Sequence, residues 1–360
     1  MLKEEEIRPP DLMDEQSRLF AEDVARLMTG RGSFVEVACP ACDRRDCTPT
    51  LEKTGMKFVT CRACGTLYAN PRPTPDQMRD YYANSKNYAY WSKYIFPASE
   101  PVRREKIFKP RVRRVLDLCK KFDIPTEILL EIGAGFGSFC AEMAGTKAFE
   151  RIVAVEPTPS LAEDCRRLGL EVIERPIEEI ERGDLVGEDE NIDVIASFEV
   201  IEHLFRPRAF VSKCADLLNP GGIFIVTCPN SRGFDILELQ EKSSAIDVEH
   251  VNLFHPSALA HLLDSCGFDV IETQTPGRLD AGIVRKHLLT GDLEPSTRPF
   301  LKRVLVDEWE ERGEAFQDFL ERNMLSSNML LVGRKRAAPV ASSSAISMTP
   351  TFFNRNSNSR

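Results

Sequence analysis

Apolar residues follow two different periods along this chain, and the change of period divides it. From residue 128 onward, short apolar runs recur at 128–132, 152–156, 171–174, 193–198, 222–228 and 269–275, with helically spaced stretches between them. Strands that alternate with helices predict a parallel sheet with helices on both faces. A further run at 329–332 predicts a last strand. The segment between the last two strands, 277–327, is too long for a loop and is helical in pattern around 299–309, so a helical insert is expected there. Ahead of residue 128 the pattern is broken. Leu19, Phe20, Val24, Leu27 and Met28 share one helical face in a leader spanning 1–32, ended by Gly30 and Gly32. Residues 33–75 are rich in turns and cysteine, and 76–127 read as helical connector. The stretch 336–360 has no period and predicts a disordered tail.

The run 128–139 carries the strongest local signal. Its strand ends in Gly133, Gly135 and Gly137 and opens into a helix. Glycines there let the backbone turn sharply and let a ligand approach without meeting a Cβ. The first amides of the helix can face the ligand's polar groups. Glu131 stands where an apolar residue is expected, and the next strand ends in Glu156, placed to accept two ribose hydroxyls. An adenosine-bearing cofactor follows. The spacing is Gly-x-Gly-x-Gly, not the Gly-x-Gly-x-x-Gly of dinucleotide sites. A turn shaped only for strand–helix packing would leave Glu156 without a purpose.

This run, with Val155-Glu156, residues 193–204 and the Leu217–Gly222 turn, resembles the class I S-adenosylmethionine-dependent methyltransferases over roughly residues 100–335. The resemblance implies a Rossmann-like seven-stranded sheet with an antiparallel last strand, a methyltransferase core at 128–276 and 328–335, and S-adenosyl-L-methionine as cofactor. It places Glu131, Gly133, Ala134, Gly135, Phe136 and Gly137 around the methionine portion. Glu156 and Pro157 fall at the ribose, and Phe198 and Glu199 close the pocket.

Two Cys-x-x-Cys knuckles, Cys39/Cys42 and Cys61/Cys64, are separated by eighteen residues. That arrangement suits a tetrahedral structural zinc ion, with a hairpin returning the chain. Four thiolates fill the ion, leaving no position for substrate. The ribbon's basic residues are offset by Asp43, Asp46 and Glu52, and no basic–aromatic alternation marks a nucleic-acid reader. The formal charge of −9 over 360 residues argues the same way. No apolar run spans a membrane and no export signal opens the chain, so a cytoplasmic protein is expected.

The remaining signals concern the second substrate. Tyr81, Tyr82, Tyr88, Tyr90, Trp91 and Tyr94 crowd one window, suited to a lid, a substrate wall or an interface with the ribbon. Residues 101–121 are strongly basic, either a solvated helix face or a clamp for a substrate phosphate. His203 follows the fourth strand, at the sheet edge where ligands bind. His250 follows Glu249. The pair resembles the acid–histidine pair of sugar C-methyltransferases, although Val248 replaces that family's preceding histidine and its long C-terminal domain has no counterpart. His250, Glu249 and His203 are therefore the catalytic candidates, each with a packing role as the alternative. The expected activity is methyl transfer to a small or carrier-linked polar acceptor such as a nucleotide-linked sugar, by in-line displacement with a histidine base, in a chain that could also form oligomers. The rivals are an NAD-dependent oxidoreductase or epimerase, an RNA methyltransferase reading through its ribbon, and a scaffold that binds cofactor without turnover.

Overall fold

The computed structural model describes residues 2–187 and 190–337. Among these described residues, eleven strands form two sheets: β1 (Cys47–Lys53), β2 (Met56–Cys61), β3 (Leu67–Ala69), β4 (Ile128–Ile132), β5 (Arg151–Val155), β6 (Glu171–Ile173), β7 (Ile192–Phe198), β8 (Ile223–Pro229), β9 (Asn252–Leu253), β10 (Phe268–Gln274) and β11 (Asn328–Lys335). The larger sheet has seven strands in the order β10-β11-β8-β7-β4-β5-β6. Strands β6, β5, β4, β7 and β8 run parallel, and β11 lies antiparallel between β8 and β10. This is the α/β sheet with an inverted strand that the apolar pattern and the resemblance together imply.

Strands β4, β7 and β8 are buried at every position, as strands covered on both faces must be. The period of two then sorts their side chains. Ile128, Leu130, Ile132 and Ile195 join one core with Phe210, Val211, Leu259 and Leu262. Leu129, Val194 and Ala196 join the other, with Val112, Val115, Phe139 and Met143. Glu131 shares parity with Leu129, so its carboxylate falls on the face covered by the basic helix Lys109–Lys121. The order β4-β7 brings the strand ends before the glycine turn and before His203 side by side, at the point where the strand order reverses.

The smaller sheet is antiparallel, in the order β1-β2-β3-β9. Its fourth strand does not belong to the cysteine-rich segment. β9 comes from the loop after β8, pairing Leu253 with Leu67 and Asn252 with Tyr68. Cys39, Ala41, Val59, Cys61 and Tyr68 are buried in the same apolar core as β4 and β8. His255 Nε2 donates to the Cys64 carbonyl (2.8 Å) and Arg208 to the Ala41 carbonyl (2.8 Å). The cysteine module is thus built into the larger domain.

The leader forms a short helix, Glu4–Ile7, and a long one, Pro10–Thr29, which buries Leu19, Val24 and Leu27. Its buried Asp23 accepts from the Ser85 hydroxyl (2.7 Å) and the Asn87 amide (2.9 Å), fixing the start of the tyrosine segment. Between β10 and β11 lie the helices Asp280–Thr290 and Trp309–Arg322, packed on the helix Phe234–Leu239 through a separate small core. Arg336, at the head of the expected tail, still bonds Asp269 (2.7 Å) and the Phe268 carbonyl (3.0 Å). The rest of that tail, 338–360, lies outside the described residues.

Candidate functional site

The glycine turn closes on β5. The Gly133 amide donates to the Val155 carbonyl (2.9 Å), and Gly133 itself has φ +80°. A Cβ there would also lie 2.5 Å from the Val200 Cγ2, so both backbone and space require glycine. Gly137, φ +73°, starts the helix Ser138–Thr146, and its Cβ would press on Cys165 and Leu170 at 2.9 Å. Ala134 is buried in the floor. Phe136 stacks on Phe96 with centroids 3.6 Å apart and planes 10° from parallel, which ties the turn to the helix Phe96–Arg103.

Glu156 accepts one amide at each oxygen, from Gly135 (2.9 Å) and Thr158 (2.8 Å). Each carboxylate oxygen keeps a further lone pair, which suits a vicinal diol. Pro157 is exposed at the rim beside it. Glu131 is buried and accepts from the Cys140 thiol (2.9 Å). Burial pushes its carboxyl up to about 8, partly offset by Cys140 and by the positive charge of Arg111. Phe198 meets Phe139 edge to face (centroids 4.8 Å). Glu199 sits at φ +58° and accepts from the Thr227 hydroxyl (2.6 Å) and the Asn328 amide (2.9 Å). A non-glycine residue in that region carries strain that the two bonds hold in place.

Arg111 is the residue the sequence reading missed. Its basic helix suggested a solvated face or an outer phosphate clamp. The structure instead turns Arg111 inward, its guanidinium 4.2 Å from the centre of the Phe198 ring. Burial lowers its pKa, and the opposing charges of Glu199 and Glu131 compensate in part. A desolvated guanidinium beside the glycine turn is a ready partner for a carboxylate.

At the far end of β7 the second set of residues converges. The His203 and His250 rings meet edge to face, centroids 4.8 Å apart. His203 Nδ1 shares a hydrogen bond with the Tyr82 hydroxyl (3.3 Å). Burial, and secondarily the charge of His250, pushes His203 down to about 3, so the ring is neutral. His250 Nδ1 lies 2.9 Å from the Ala245 carbonyl, which makes that nitrogen the donor and leaves Nε2 its lone pair. Glu249 does not bond His250. Its carboxylate accepts from the Tyr81 (2.6 Å) and Tyr88 (2.8 Å) hydroxyls, and the acid nearest the His250 ring is Asp247, at 3.5 Å. Glu249 thereby fixes the tyrosine cluster over the histidines, and burial raises its pKa.

The four cysteine sulfurs lie within 4.8 Å of one another. Cys39 and Cys64 are 3.4 Å apart, Cys42 and Cys61 3.5 Å. Ligands at ordinary zinc–sulfur lengths stand about 3.8 Å apart in a tetrahedron, so the cluster fits that ion.

Residues 103–273 match the family model described as a methyltransferase domain. A probable S-adenosylmethionine-dependent methyltransferase of Mycolicibacterium smegmatis is 35% identical over 85 residues, covering 24% of this chain and 32% of that protein. The ubiquinone biosynthesis O-methyltransferase of Bradyrhizobium sp. is 26% identical over 180 residues, covering 46% and 68%. That of Rhodopseudomonas palustris is 29% identical over 126 residues, and the chain spans 47% of its length. Among solved structures, a SAM-dependent methyltransferase of Archaeoglobus fulgidus aligns with a TM-score of 0.45 at 18% identity, over 68% of this chain and 100% of that one. With the glycine turn, the paired acids Glu131 and Glu156 and the inverted strand β11 already in place, the chain carries a class I S-adenosylmethionine-dependent methyltransferase domain.

Proposed function

We propose that the chain transfers a methyl group from S-adenosylmethionine to a small or carrier-linked polar acceptor, with a hydroxyl-bearing sugar as the acceptor class. The observation that carries this reading is the joint position of His203 and His250 at the carboxyl edge of β7, beneath Tyr82 and beside the cofactor floor. The cofactor supplies an electrophilic methyl group held on sulfur. Gly135 and Glu156 grip the ribose, while Arg111 and Glu131 take the methionine carboxylate and ammonium. The tyrosine cluster excludes water and supplies donors, since burial and Glu249 push the Tyr81, Tyr82 and Tyr88 hydroxyls well above their usual range. His250, whose Nδ1 is held by the Ala245 carbonyl, would take the acceptor proton at Nε2.

Calorimetric titration with S-adenosylhomocysteine and, separately, with NAD tests the cofactor. Binding of the first alone is expected, and binding of NAD alone defeats the reading. An acceptor panel follows, in which His250→Ala is expected to lower kcat by about 10²–10⁴ with little change in cofactor affinity. The structural zinc is part of the same proposal. The cysteine knuckles pack into the enzyme core, which favours a staple over a nucleic-acid reader.

Glu131 makes cofactor binding depend on pH. Below pH 8 its carboxyl holds a proton, and a ligand ammonium requires the anion. Binding of S-adenosylhomocysteine at pH 7 is therefore expected to release close to one proton, seen as a buffer-dependent heat. The release should vanish at pH 10 and in Glu131→Gln. The sign for stability is also set. The folded pKa lies above the ordinary value of 4.5, so the ligand-free protein loses stability as pH rises from there to 8.

A further inference from the structure

Glu202 is 1% exposed, and neither of its carboxylate oxygens has a hydrogen-bond partner. A buried carboxylate left without donors is expensive, and such an orphan marks a missing partner. Its Oε1 lies 3.9 Å from His203 Nε2. One atom each from Glu202, His203 and His250 fall within 4.8 Å of one another. We infer that these three residues form a second metal site, taking one divalent ion of the borderline class such as zinc, cobalt or ferrous iron. The inference rests on the acceptor reading above only for the ion's role, not for its binding.

The outer contacts are those of metal-ligating histidines. His203 can donate Nδ1–H to the Tyr82 oxygen, and His250 donates Nδ1–H to the Ala245 carbonyl, so each ring keeps Nε2 for an ion, and that of His203 already faces Glu202. A second contact that fixes the tautomer is the usual mark of a ligating imidazole. Two imidazoles and one carboxylate form a set that binds divalent transition ions and leaves positions open. Ligands at about 2.1 Å stand about 3.4 Å apart in a tetrahedron, so side chains now within 4.8 Å of one another must close by up to about 1.4 Å. The backbone is already positioned. Asn252, two residues after His250, donates to the Ile201 (3.1 Å) and Leu204 (2.7 Å) carbonyls on either side of Glu202 and His203. Strand β9 therefore brings the third ligand to the other two. The His203 and His250 side chains keep 22% and 21% exposure, which leaves an entry path and open positions toward the mouth. With the ion bound, His250 is a ligand and no longer the base: an acceptor hydroxyl in an open position would be acidified by the ion, and its proton would pass to solvent as the oxygen takes the methyl group and the sulfonium becomes a thioether.

The test is a Co(II) titration of full-length protein freed of weakly held metal by a mild chelator, with the cysteine-bound zinc retained. One equivalent is expected to bind, with weak ligand-field bands and no thiolate charge-transfer band. Glu202→Gln and His250→Asn should each weaken binding by at least about tenfold while melting and cysteine-bound zinc are unchanged. If Glu202→Gln does not fold, His250→Asn alone decides. No binding to the wild-type protein overturns the site, as does binding that neither variant changes. Methyl transfer at full rate in chelated protein that binds no Co(II) sinks the metal site and keeps the acceptor reading. Co(II) binding that the variants abolish, with no transfer to any hydroxyl acceptor, does the reverse.

Discussion

Removing the zinc proposed for Cys39, Cys42, Cys61 and Cys64 is expected to lower the melting temperature by at least about 10 °C and to abolish methyl transfer. Structural zinc contributes roughly 10–16 kcal/mol to small zinc modules, and a large enzyme domain shifts by roughly 2–4 °C per kcal/mol. Most of that ion's effect would stay local if the ribbon were an appendage. It is not one here. Cys39, Cys61 and Tyr68 share a core with β4 and β8, and β3 pairs with β9 just past His250. Arg72, from the same module, donates to Asn252 (2.7 Å) and to the Phe205 carbonyl (2.7 Å). Collapse of the knuckles must therefore release the loop bearing Glu249 and His250. The check is thermal unfolding and activity before and after a strong chelator, alongside Cys61→Ala. A protein that loses its cysteine-bound zinc yet keeps its melting point and turnover would show the ribbon to be energetically separate.

Arg111→Met is expected to weaken S-adenosylhomocysteine binding roughly 10- to 100-fold. Each charge-assisted hydrogen bond to a buried carboxylate is worth about 1.5–3 kcal/mol, and the methionine carboxylate would bond the Arg111 guanidinium, which lies against the Phe198 ring. Methionine keeps the apolar volume and contact with that ring. The discriminating ligand is methylthioadenosine, which has the ribose and base but lacks the amino acid. Its affinity should change little in Arg111→Met and fall in Glu156→Ala. Equal losses for both ligands in Arg111→Met would mean that Arg111 only supports the fold, by compensating Glu131 and Glu199.

The domain's sheet and its glycine turn were legible in the chain because their causes are local. Apolar runs at 128–132, 193–198 and 222–228 are long enough and apolar enough to require burial on both faces. The glycines at 133, 135 and 137 sit at positive φ, which few other residues adopt. The paired Cys-x-x-Cys knuckles are likewise a short-range pattern, and the four sulfurs converge. Each of these depends on residues within one or two elements of each other.

The acceptor half was not legible, because its geometry depends on contacts far apart in sequence. Glu249 read as an acid beside His250, yet Tyr81 and Tyr88 claim its carboxylate across 168 and 161 residues. Arg111 looked like one of many surface cations until helix packing turned it onto Phe198. Glu202 looked like part of the cofactor-side motif, and only the fold leaves both its oxygens without partners beside two histidines. Sequence alone determined which strands are buried, where the backbone must turn left-handed, and which thiols gather. The tertiary structure decided which charges lose water and which side chains face them, because desolvation and long-range pairing arise only when distant elements pack.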